Sequence, residues 1–83
     1  MIVPVIDSEL HRRFCQQMRT YRKIAGMTQK SLAEKLGVSQ AAIAQYEAGR
    51  NEPTLSTVEA VADGLGISVE RLLFYPAKLS QTG

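Results

Sequence analysis

Eighty-three residues, 45% of them apolar and 22% charged, suffice for one small domain with a single modest core and leave no room for a second. One cysteine, Cys15, excludes an intramolecular disulfide and suits a reducing compartment. No stretch approaches the ~18 apolar residues of a membrane span, and Met1 to Ile6 lacks the positive start and length of a signal peptide, so a soluble cytoplasmic protein with no membrane partner is expected. The net charge of +2 divides unevenly: residues 1–50 carry eight Lys and Arg against four acids, residues 51–83 two against four. A basic half of this kind serves a phosphate-facing surface, or is simply a solvated face.

In chain order, Ile2, Val3, Val5 and Ile6 are too β-branched and too short a run for a helix, so residues 1–7 read as an extended arm that pairs with its copy or packs on a partner. Asp7 and Ser8 start a first helix with Leu10, Phe14, Met18, Tyr21 and Ala25 along its inner side and Gly26 as its stop. Thr28 caps a second, amphipathic helix in which Leu32, Ala33 and Leu36 face inward, and Gly37 ends it. Val38 is apolar and suited to plug the corner, and Ser39 caps a third helix, Gln40 to Ala48, stopped by Gly49. The small Ala33 lets these two helices cross closely. Pro53 and Thr54 begin a fourth helix with Leu55, Val58, Val61, Ala62 and Leu65 as its apolar positions and Gly66 as its stop. Ser68 caps a fifth, Val69 to about Phe74, before Pro76 and a polar tail over residues 76–83.

The third helix carries the main functional signal. At about 100° per residue, Ile43 and Tyr46 point one way and Gln40, Ala41, Ala44, Gln45 and Ala48 the other. An idle surface helix more often shows Lys and Glu there. Short uncharged side chains let a helix sit deep in a major groove, where Gln bonds adenine bidentately and Ala meets the thymine methyl. A plain alanine-rich helix is the bland alternative. Thr28, Gln29 and Ser39 stand at helix N-termini suited to phosphate, and Arg50 and Asn51 lie just past the third helix, where they could clamp the backbone.

Taken together, Met18-Arg19-x-x-Arg22, Gly26-Met27-Thr28-Gln29, Leu32-Ala33, Gly37-Val38-Ser39, Ile43, Glu47-x-Gly49, Pro53, Ala62, Leu65-Gly66-Ile67-Ser68 and Leu72 resemble the lambda-repressor-like (Cro/CI-type, XRE) helix-turn-helix family. The resemblance implies an all-α, compact five-helix bundle over residues 8–75, with the third helix in the major groove of double-stranded DNA. It implies a transcriptional regulator, most often a repressor, acting as a homodimer on a palindromic operator. It places Gln40, Ala41, Ala44 and Gln45 at the bases, sets Glu47 against Arg22 as an ion pair fixing the reading helix, and puts the dimer contact at Leu73, Phe74, Tyr75 and Leu79. The chain departs from many relatives in having Ala41, Ala44 and Ala48 where polar side chains are common, which leaves Gln40 and Gln45 as the main readers and favours A·T pairs. A dimer is also required physically, because one domain reading about four or five base pairs cannot single out a site in a genome.

An enzyme is not expected. His11 and Cys15 share a helix face at i,i+4, but two ligands do not hold zinc, and no third His or Cys exists; no P-loop, glycine-rich fingerprint or nucleophile triad appears, so no metal, cofactor or catalytic residue is assigned. Cys15 reads as a small apolar filler and His11 as a surface residue. The rival reading is a protein-interaction module, such as a small antitoxin that also represses its own promoter; the short tail after Pro76 argues against a long toxin-wrapping segment.

Overall fold

A computed structural model describes residues 9–77, and the arm residues Ile2, Val3, Val5 and Ile6, the Asp7–Ser8 cap and Leu79 lie outside them. The described residues form five helices and no strand: α1 Glu9–Ile24, α2 Gln29–Leu36, α3 Gln40–Glu47, α4 Leu55–Leu65 and α5 Val69–Phe74. None is long and apolar enough to cross a membrane.

Caps set the boundaries. Thr28, Ser39, Thr54 and Ser68 each accept a hydrogen bond from the backbone N–H three residues on, so each interior helix starts where a hydroxyl satisfies an otherwise orphaned amide. At Thr28 the bond is reciprocated by the Ser31 hydroxyl, closing a capping box. Gly37 ends α2 at φ 75, a left-handed conformation costly to any residue with a Cβ, and turns the chain directly into α3.

Phe14, Met18, Leu32, Ile43, Val61 and Leu72 fill the centre and are almost wholly inaccessible. Helix α2 packs most extensively on α3, with Ala33 buried as the close crossing requires, while α1 spans the bundle and touches α3, α4 and α5. Two polar side chains on α1 also tie it to the end of α5. The buried Gln17 donates from Nε2 to the carbonyls of Leu72 and Tyr75, each at 2.9 Å, and accepts from the Ala77 N–H at 2.9 Å. Tyr21 donates its hydroxyl to the same Tyr75 carbonyl at 2.8 Å. Carbonyls that a helix C-terminus leaves open are thus satisfied from the neighbouring helix.

Four residues expected inside are on the surface. Leu10, in the first turn of α1, is 44% exposed, and Ala25 is exposed because the helix has already ended at Ile24. Val38 is 45% exposed and does not plug the corner, which is closed by the Val38 N–H donating to the Ala33 carbonyl at 3.0 Å. Leu55, the first residue of α4, is 83% exposed; Pro53 lies outside the helix, before the Thr54 cap.

Candidate nucleic-acid interface

The α2–α3 unit presents one free helical face. On α3, Ile43 and Glu47 are buried, Ala42, Ala44 and Tyr46 are half-buried, and Gln40, Ala41, Gln45 and the C-cap residue Ala48 are exposed. No lysine, arginine or acid stands on that exposed face. The outward stripe is therefore uncharged, with two amides among methyl groups.

Behind it, Glu47 is the anchor. Its side chain is 1% exposed, and its carboxylate accepts from Arg22 Nε at 2.7 Å on Oε2 and from Arg22 Nη2 at 3.1 Å on Oε1. Arg22 also donates from Nη1 to the Met27 carbonyl at 2.9 Å, which brings the α1–α2 turn into the cluster. Gln29 Nε2 donates to Glu47 Oε1 at 3.1 Å, and Arg19 Nε stands 3.8 Å from the same oxygen. A buried carboxylate with a bidentate arginine, a second arginine and an amide is well compensated, and the cluster joins α1, the start of α2 and α3. Nothing in the sequence pairs Gln29 or Arg19 with this carboxylate; a polar residue one place past a cap carries no local sign of a partner 18 positions away.

The phosphate candidates lie along the rim. The hydroxyls of Thr28 and Ser39 are exposed and accept from the N–H groups of Ser31 at 2.9 Å and Ala42 at 3.0 Å. Gln29 is half-buried and turned to Glu47, and Arg50 is exposed just beyond the α3 C-cap. Asn51 donates from Nδ2 to Gln45 Oε1 at 2.8 Å, and its carbonyl oxygen lies 3.4 Å from His11 Nε2. His11 is thus half-buried against the loop after α3 rather than a bare surface residue.

On α5 and just after it, Leu73 is half-buried, while Phe74 and Tyr75 are each about half exposed and Arg71 lies over the Tyr75 ring at 5.8 Å. Leu10, Phe14, Leu55, Val58 and Leu73, with His11 and Glu52 at the polar part of the lining, bound a mostly apolar groove of about 180 Å³. Leu10 and Leu55, expected in the core, line this groove instead, and only their places at helix starts hint at it. Among the described residues no group of three His, Cys, Asp or Glu side chains is arranged to hold a metal. Cys15 is buried, and that burial pushes its thiol above the ordinary range.

A helix-turn-helix family model, HTH_3, matches residues 18–72. The chain is 43% identical over 58 residues to the immunity repressor protein of Bacillus phage phi105, a match covering 70% of this chain and 40% of the phage protein, so it spans less than half of that relative's length. Among solved structures, the hypothetical transcription factor NHTF from Neisseria superposes with a TM-score of 0.77 at 28% identity, covering 92% of this chain and 86% of that one. The DNA-binding domain of the P22 c2 repressor superposes with a TM-score of 0.73 at 28% identity, over 82% of this chain and 90% of that one.

Proposed function

Because the chain belongs to the HTH_3 helix-turn-helix family, whose members among its relatives are transcriptional regulators, we propose that it is a repressor that binds a palindromic operator as a homodimer. In this reading α3 lies in the major groove. Gln40 and Gln45 hydrogen-bond base edges, with ~1–3 kcal/mol of discrimination for a good bidentate contact, and Ala41 and Ala44 pack on thymine methyls. Thr28, Gln29, Ser39, Arg50 and Asn51 flank them toward the phosphates, and Arg22 with Glu47 fixes the angle of the reading helix. The observation that carries the reading is the exposed, uncharged Gln-Ala face of α3 held over a buried ion pair.

The homodimer is supported by the apolar end surface. Leu73, Phe74 and Tyr75, with Leu79 beyond the described residues, form the proposed contact, and the neighbouring groove between Leu10 and Leu55 extends it. Two-fold pairing would set the two reading helices about 34 Å apart.

Selection of bound sequences from random duplexes tests the whole reading. A two-fold symmetric site one helical turn between half-site centres is expected, with affinity falling steeply as salt rises. Binding that ignores sequence, or an asymmetric single site, would refute the operator and the dimer. Phe74→Glu should abolish dimerisation in sedimentation while leaving the fold intact.

A further inference from the structure

Gln45 does not stand alone on the reading face. The Asn51 amide nitrogen donates to its Oε1 at 2.8 Å, and three backbone features bring Asn51 back over it. Gly49 adopts φ 77, reversing the chain just past α3. The Arg50 N–H donates to the Gln45 carbonyl at 3.0 Å, closing the turn on the very residue being held. The Asn51 carbonyl faces His11 Nε2 at 3.4 Å, which ties the loop to α1. An exposed glutamine otherwise presents its amide either way round, since its terminal torsion is broad and nearly two-fold.

We propose that Asn51 is a positioning residue for specificity, holding Gln45 with Oε1 turned to the protein and Nε2 leading toward the duplex. This rests on the groove-reading role of α3 proposed above. With one lone pair of Oε1 taken, Gln45 meets the bases first as a donor. Purine N7, guanine O6 and thymine O4 all accept from it, and adenine remains open to a bidentate contact through the second lone pair of Oε1. Cytosine offers only its N4 donor in the groove, so it confronts Nε2 with a second donor and is rejected. Asn51 thereby bears on the base contact through Gln45. On the strand Gln45 contacts, it makes the chain discriminate against cytosine at that position.

Six proteins test this: the parent, Gln45→Ala, Asn51→Ala, Asn51→Asp and the two double variants that join Gln45→Ala to either Asn51 substitution, each checked for helical content before use. Competition binding is run on selected duplexes varied one pair at a time. The parent should disfavour cytosine about tenfold at one position per half-site, the scale of one good base contact. Asn51→Ala should shrink that penalty to about threefold or less by freeing the amide to turn, and should leave other positions alone. Asn51→Asp replaces the donor with an acceptor, so Gln45 should be held by Nε2 and lead with Oε1, now favouring cytosine or adenine. Its added charge lowers all affinities together, so the preference is what is read. In the Gln45→Ala background, either Asn51 substitution should leave base preference unchanged. If Asn51→Ala weakens every duplex equally with its cytosine penalty intact, Asn51 is a phosphate contact and the inference fails alone. If the parent selects no sequence, the groove-reading role fails, and this inference with it.

Discussion

Removal of the Glu47 carboxylate is the sharpest test of how α3 is held. Glu47→Ala leaves the Arg22 guanidinium, whose side chain is only 10% exposed, with one remaining bond, to the Met27 carbonyl. Breaking a buried pair on one side costs about 3–5 kcal/mol. The half-exposed Arg19 beside the cluster gives water a way in, so we take the lower end, about 3 kcal/mol. The whole domain is worth roughly 4–12 kcal/mol at its length. In a domain of this size each kcal/mol moves Tm by about 4–8 °C, so the variant should melt roughly 12–24 °C below the parent. Circular dichroism melts at low and high salt supply the assay. The gap should persist near 1 M salt, because a buried pair is barely screened. The double variant Arg22→Met with Glu47→Leu should recover most of the stability, as apolar replacements of buried pairs often do, yet bind DNA less well because Gln29 loses its acceptor. A Glu47→Ala melt within a few degrees of the parent would mean the carboxylate is solvated, and the reasoning would fall.

Gln17→Leu removes three hydrogen bonds to the end of α5 and strands the Ala77 N–H; we expect a loss of about 2 kcal/mol and faster amide exchange confined to α5 and the residues after it. Gly64→Ala sets two effects against each other. Helix propensity favours alanine by about 1 kcal/mol, but the new Cβ would stand 2.7 Å from Leu36 Cδ2 and 3.3 Å from Leu32 Cδ1. Because Leu32 is fully buried and cannot yield, overpacking of about 1–3 kcal/mol should win, and a denaturant midpoint above the parent's would contradict this. The buried Cys15 thiol keeps its proton more tightly folded than unfolded. Its contribution to stability is present below the ordinary thiol range and is lost as pH rises through it toward the folded value. Cys15→Ala should flatten the alkaline fall in stability, and iodoacetamide should label the parent slowly until denaturant is added.

The helices were legible because each is punctuated locally: a hydroxyl cap at Thr28, Ser39, Thr54 and Ser68, and a glycine after α2 and α4. The α3 face was readable from spacing alone. Arg22 and Glu47 stand 25 residues apart, and only the family resemblance joined them. Helix periodicity says which side of a helix is apolar, but not where the neighbouring helices stop covering it. That is why Leu10 and Leu55, on the inner stripe yet at helix starts, read as core residues but lie outside it. The Gln17 and Asn51 bonds had no sequence signal, since an amide reveals its partner only once the chain has returned beside it.

Three residues of α1 do unlike work: Gln17 and Tyr21 fasten the last helix, and Arg22 fastens α3. A single rod therefore carries both ends of the molecule, with no joint between them. In a paired assembly such a frame cannot stretch. In the proposed homodimer, one extra base pair at the centre of an operator would swing a half-site about 35° around the duplex axis, and over- or underwinding of the nucleic acid would have to absorb that rotation.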